Sequence, residues 1–162
     1  MRREDFKILF DQHFDSLRKY LYYRCGDTEL STDIAQEAFL KLWEKKLNKP
    51  PDELIGLLYK IAKDALISSL RRQTLEMKFT SKPAENGNSI TPEEELRYKE
   101  LQLNYEKALN EMPEIQRVVF LMSRNEELKY HEIAERLDLS VKAVEKRMKN
   151  ALQFLRQSLT VK

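Results

Sequence analysis

Apolar residues in this chain recur at steps of three and four along most of its length, and the recurrence breaks down between about Glu76 and Pro92. A chain patterned in this way buries its apolar surface by packing helix against helix, because strands would require a period of two. Composition agrees: of 162 residues, 35% are charged and only 3 are Gly and 5 Pro, a balance that favours long amphipathic helices. The expectation is an all-α fold of two small helical domains joined by a flexible linker.

Phe6, Leu9, Phe10, His13, Phe14, Leu17, Tyr20 and Leu21 lie on one stripe of a first helix. After the break at Gly26-Asp27-Thr28, Ile34, Ala35, Ala38, Phe39, Leu42 and Trp43 repeat the pattern. They leave Asp33, Gln36, Glu37, Lys41 and Glu44 facing outward, with Trp43 expected in the core. Pro50-Pro51-Asp52 punctuates the chain, and Leu54, Leu57, Leu58, Ile61, Ala62, Ala65, Leu66 and Leu70 mark a third helix running into Arg71-Arg72. These helices form a first domain over residues 1–75. The stretch TSKPAENGNSITPEE collects Ser, Thr, Asn, Gly and Pro, so residues 76–92 read as a connector. In a second domain, 93–162, Leu101, Tyr105, Ala108, Leu109 and Met112 give a fourth helix. Pro113 opens a fifth, with a core face of Ile115, Val118, Val119 and Met122. A short helix from about Leu128 to Leu137 and a last one from Val141 to about Leu159 complete the set.

The most specific pattern is YHEIAERLDLSVKAVEKRM, Tyr130 to Met148. Ile133, Ala134, Leu137, Leu139, Val144 and Met148 occupy the apolar positions of a helix-turn-helix. Small Ala134 allows close approach, Leu139 plugs the turn, and Val144 packs back on the first helix. Ser140 is placed to cap the second helix. Asp138 stands where many such turns have Gly, at a position that wants a left-handed backbone, which Asp tolerates better than most residues. Lys142, Glu145, Lys146, Lys149 and Asn150 then face outward, with Arg147 at the edge of the core stripe. They combine cations for phosphates with groups able to touch base edges in a major groove. A lysine-rich helix can equally be a solvated face, but the local charge favours DNA: Leu128–Lys162 holds 8 Lys or Arg against 4 Asp or Glu, while Glu93–Glu127 holds 5 against 9.

Other classes find little support. Cys25 is the only cysteine, so no internal disulfide and no Cys/His zinc set can be written. His13 and His131 look structural, no Gly-rich phosphate loop or nucleophile motif appears, and neither enzymatic activity nor a metal or cofactor is expected. MRREDFKILF lacks the apolar core of a signal peptide, and no run of about 18 apolar residues occurs. The expected location is the cytoplasm, without direct membrane insertion.

Met112 to Leu155, MPEIQRVVFLMSRNEELKYHEIAERLDLSVKAVEKRMKNALQFL, closely resembles region 4 of bacterial sigma factors of the extracytoplasmic-function (ECF) group. FKILFDQHFDSLRKYLYYRCGD, STDIAQEAFLKLWEK and LYKIAKDALISSLRR resemble successive parts of region 2 of the same group. The resemblance spans nearly the whole chain, in order. It implies a protein that binds core RNA polymerase and directs promoter-specific initiation at minus-10 and minus-35 elements. Its partners would be the beta-prime clamp helices and beta flap of the polymerase, promoter DNA, and an anti-sigma factor. By the same resemblance Asp33, Gln36 and Glu37 bind polymerase. Tyr59, Lys60, Lys63, Asp64, Arg71 and Arg72 contact the melted minus-10 strand, with Tyr59 as a pocket or stacking residue unless it is buried. Lys142, Glu145, Lys146, Arg147, Lys149 and Asn150 read the minus-35 element. The family commonly has Asn where Asp64 stands and Asp where Ser68 stands, and a carboxylate near DNA repels phosphate.

Two rival readings make different demands. A conventional dimeric helix-turn-helix regulator would form a stable homodimer and bind its operator without polymerase. A helical adaptor, or a regulator of another sigma factor, would start no transcription with core enzyme.

Overall fold

The computed structural model describes residues 1–72 and 91–160, and the described residues are helical with connecting turns and no strand. Helix α1 (Arg3–Cys25) ends at Gly26, whose left-handed backbone, φ 70°, suits a residue without Cβ. Asp27 at once caps α2 (Thr28–Glu44), its carboxylate accepting from the Leu30 amide at 3.0 Å. A 3-10 turn, Pro51–Leu54, leads into α3 (Ile55–Arg72). Beyond residues 73–90, Thr91 and Glu94 close a reciprocal capping box on α4 (Pro92–Glu111). α5 (Glu114–Glu126), α6 (Tyr130–Leu137) and α7 (Val141–Thr160) follow. Most of the connector expected at 76–92 lies outside the described residues.

α1, α2 and α3 pack on one another around Leu9, Leu17, Leu21, Ala35, Ala38, Leu42, Leu58, Ala62 and Leu66, all buried. At one end Phe6, Phe10, Phe14 and Phe39 form an aromatic cluster with edge-on and stacked contacts of 4.8–6.1 Å. Trp43 joins it, 4.9 Å from Phe6, yet stays 37% exposed rather than sinking into the core, because it lies at the margin where α2 ends.

The second group is organised around α5, which packs on α7 and α6 and also on α1 of the first group. Six successive residues, Arg117–Met122, are buried, which no one-faced helix would do. Enclosure from opposite sides removes the solvent face, and the run VVFLM is the trace of it. Two stripe residues behave otherwise than the periodicity suggests: Leu101 is 58% and Ile115 55% exposed. α4 makes its main contact with α7 and buries only Ala108 and Leu109 near its C-terminal end, while on α5 the deep position near the start is taken by Arg117.

At the seam between α1 and α6, His13 is half-buried with no hydrogen-bond partner for Nδ1. Burial lowers its pKa from the ordinary 6.5, and Arg136 adds to this, while Asp52 and Glu135 oppose it. Glu126 is shifted the other way, raised above 4.5 by burial against a hydrogen bond from Ser16 and the charges of Arg136 and Lys19. As pH falls through 6.5 the unfolded chain takes up the His13 proton before the folded one does, so His13 costs stability below that pH. The Glu126 cost is instead relieved as pH falls through its raised pKa. The difference between wild type and His13→Gln isolates the first effect. Between pH 7 and pH 5.5 the variant is expected to lose less stability than wild type in urea titrations, and parallel losses would show that His13 does not titrate at the seam.

Candidate DNA and polymerase surfaces

The turn between α6 and α7 is built as the spacing predicts. Ile133, Ala134 and Val144 are buried together, and Leu139, partly buried, donates its amide to the Ala134 carbonyl at 2.9 Å. Asp138 ends α6 in the left-handed region, φ 55° and ψ 50°, where its short polar side chain limits the steric cost. Ser140 Oγ accepts from the Ala143 amide at 3.1 Å, fixing where α7 begins. Given that start and the inward Val144 and Ala151, helical geometry leaves Lys142, Glu145, Lys146 and Lys149 exposed, with Arg147 and Asn150 half-buried at the border. All six expected minus-35 residues thus lie on or beside one solvent-facing side of α7. The exposed cations can reach phosphate, and Glu145 can accept from a cytosine amino group but cannot bind phosphate.

On α2, Ile34, Ala35, Ala38 and Phe39 turn inward, so Asp33, Gln36 and Glu37 form an exposed polar stripe. Glu37 also pairs with Lys41 at 3.0 Å, a solvent-exposed i,i+4 bridge that a partner's cation could replace at little cost.

On α3, Lys60, Asp64, Arg71 and Arg72 are exposed and Lys63 is half-buried. Tyr59 is the exception: it is 2% exposed, its ring 5.1 Å from that of Tyr20 and its hydroxyl accepting from Arg136 Nη1 at 3.3 Å. Burial raises its pKa well above the ordinary tyrosine value, so the phenol stays neutral. A base cannot stack on Tyr59 in this arrangement. The open feature nearby is instead a shallow depression of about 400 Å³ between α2 and α3, lined by Lys41, Glu44, Lys45, Ile61, Asp64, Ala65 and Ser68. Lys41 and Glu44 read in sequence only as outward-facing, and Lys45 had no signal because it follows the last turn of α2.

A cleft of about 1040 Å³ runs between α1 and the α4–α7 group, with Tyr22, Leu101, Tyr105 and Leu152 on its walls and Arg18, Lys19 and Arg124 among its cations. It leaves no trace in the residue pattern, since it needs both groups of helices in place. No cluster of His, Cys, Asp and Glu able to hold a metal occurs among the described residues, and no helix there is long and apolar enough to cross a membrane.

Comparison with known proteins gives the same two parts in the same order. Residues 9–76 match Sigma-70 region 2, and residues 102–155 match Sigma-70, region 4, together most of the chain. The chain is 28% identical over 151 residues to the ferric citrate uptake sigma factor FecI of Escherichia coli, covering 91% of this chain and 87% of that one. It is 26% identical over 157 residues to the ECF RNA polymerase sigma factor SigE of Mycolicibacterium smegmatis, covering 93% of this chain but spanning only 60% of SigE. The RNA polymerase sigma factor YlaC of Bacillus subtilis is 25% identical over 163 residues, with 98% and 94% covered. In fold the chain is similar to the sigma factor RpoE of Bartonella quintana, solved in complex with the anti-sigma factor NepR, at a TM-score of 0.64 and 20% identity, with 98% of each chain covered. The chain belongs to the ECF group of the sigma-70 family.

Proposed function

We propose that this protein binds core RNA polymerase and directs it to promoters, reading a minus-35 element with α7 and a melted minus-10 strand with α3. The observation that carries the reading is the pairing, in one chain, of a helix-turn-helix whose long helix exposes Lys142, Glu145, Lys146 and Lys149 with a second helical group that exposes the Asp33, Gln36 and Glu37 stripe. Neither is informative alone. Together they supply one surface for duplex DNA and one for a basic protein partner. Lys60, Lys63, Arg71 and Arg72 would meet the backbone of the opened strand, and the depression beside Asp64 and Ser68 would take an extruded base in place of Tyr59. The protein would work in the cytoplasm and catalyse nothing itself, RNA synthesis belonging to the polymerase. The apolar cleft with its Arg18, Lys19 and Arg124 cations suits an acidic helical anti-sigma partner.

The experiment is transcription by core polymerase with and without the protein, read by sequencing transcript starts. Within it, two substitutions on α7 separate affinity from specificity. Glu145→Ala is expected to change the ranking of promoters, because its contact depends on the base. Lys149→Ala is expected to weaken every promoter by a similar factor and to reduce the salt dependence of binding, because its contact is with phosphate. Equal loss on every promoter from both would refute the division.

A further inference from the structure

The depression between α2 and α3 has two kinds of wall. On α3, Ile61 and Ala65 are four residues apart and lie one above the other, as do Asp64 and Ser68 beside them, so an apolar row runs next to a polar one. Ala65 is 7% exposed and Ile61 partly buried, while Asp64 and Ser68 are exposed. Across from them the end of α2 supplies Lys41, Glu44 and Lys45. Lys41 is engaged by Glu37 at 3.0 Å. Among the described residues no hydrogen bond or ion pair takes up the Asp64 carboxylate, so both of its oxygens are open to a ligand.

A base whose ring face lies on Ile61 and Ala65 turns its edge toward Asp64 and Ser68, and that edge decides the fit. A carboxylate only accepts hydrogen bonds, whereas a serine hydroxyl donates or accepts and therefore discriminates little. Guanine presents two donors side by side on its Watson–Crick edge, N1–H and the 2-amino group, which match the two carboxylate oxygens. Adenine and cytosine each set a lone pair beside their single amino donor, and thymine sets its N3–H between two carbonyl oxygens. Each of these three holds an acceptor against the anion. The guanine O6 next to the paired donors is an acceptor for a lysine ammonium, and Lys45 stands on the facing wall. Asn, common at this position in the family, carries one donor and one acceptor and can pair with any of the four bases. The carboxylate also repels the strand's phosphates, a cost that a base without paired donors does not offset, so it works against the wrong bases as well as for the right one.

We propose that Asp64 makes the depression selective for guanine, so that one position of the opened minus-10 strand is read as that base. The assignment rests on the promoter reading given above and names the base that the site takes.

The test uses the full chain with core polymerase and promoter duplexes whose minus-10 region is held open by mismatches. Each open position carries in turn guanine, adenine, cytosine, thymine or hypoxanthine, and affinities are compared by competition. At one position guanine is expected to exceed every other natural base at least about tenfold, within the range of a bidentate base contact. Hypoxanthine, which keeps N1–H and O6 but lacks the amino group, is expected to fall below guanine by roughly threefold or more. Asp64→Asn is expected to bring the four natural bases at that position within roughly threefold of one another, mainly by improving the other three. Binding that is indifferent to guanine at every open position, or a guanine preference that survives Asp64→Asn, overturns the assignment and leaves the promoter reading standing. If polymerase with the protein retains none of the open templates better than polymerase alone, the promoter reading falls, and this assignment with it.

Discussion

Arg117→Ala is expected to destabilise the protein by about 3 kcal/mol, a fall of roughly 10 °C in Tm for a chain of this size. The guanidinium serves four carbonyl oxygens: Tyr23 and Arg24 on α1, and Leu109 and Met112, at 3.4 and 3.2 Å, at the C-terminal end of α4. Truncation leaves these acceptors without their donor in a dry site and opens a cavity as well. Desolvation pulls the arginine pKa down, with Glu114 opposing, but a guanidinium remains charged at any working pH, so the loss should not depend on pH near neutrality. Arg117→Met separates the two contributions, because it refills the space without supplying donors. If the Met variant is as stable as wild type, the hydrogen bonds contribute nothing and the site is held by packing. Loss of more than half the Ala effect in the Met variant is the expected result.

The second large effect lies at the opposite extreme of burial. Asp33→Lys combined with Glu37→Lys reverses charge on an exposed stripe and should leave the thermal transition within a degree or two of wild type. Binding to core polymerase is nevertheless expected to weaken at least tenfold, about 1.4 kcal/mol, with most of the change in the association rate and a flattened salt dependence. Glu37 gives up its bridge to Lys41 in the process, a loss too small to confuse the result. Unchanged affinity would move the polymerase contact off α2 altogether.

These two sites show which parts of the molecule were legible in sequence. Periodicity located the helices and the inward residues of α1–α3, because amphipathic burial against one neighbour leaves a one-sided pattern. The helix-turn-helix was legible in detail, since Ala134, Asp138, Ser140 and Val144 each answer a local demand of approach, handedness, capping or packing. The exposed stripe of α2 followed from the same reasoning by subtraction. What could not be read was whatever depends on one group of helices meeting the other. Nothing in the neighbours of Arg117 says that its partners are carbonyls on α1, more than ninety residues away in sequence. Tyr59 could be weighed for burial against its own helices, but its cover by Arg136 is long-range. Leu101 keeps helical phase yet lies open, because phase says which way a residue points and not whether anything is there.

The seam also gives physical sense to the charge imbalance along the chain. The acidic segment Glu93–Glu127 includes Glu114 and Glu126, which face Arg24 and the Ser16–Lys19 edge of α1, while the basic excess of Leu128–Lys162 includes Lys142, Lys146 and Lys149 on the open face of α7.

The central claim is that one chain couples a polymerase-binding surface to a DNA-reading helix, and it is tested most directly by adding the purified protein to core RNA polymerase on genomic DNA of its own source and mapping the 5′ ends of the transcripts. New start sites sharing a pair of upstream elements at constant spacing, lost when Lys142, Lys146 and Lys149 are changed together to Ala, are the expected result. A protein that neither associates with core enzyme nor creates any start site would contradict it.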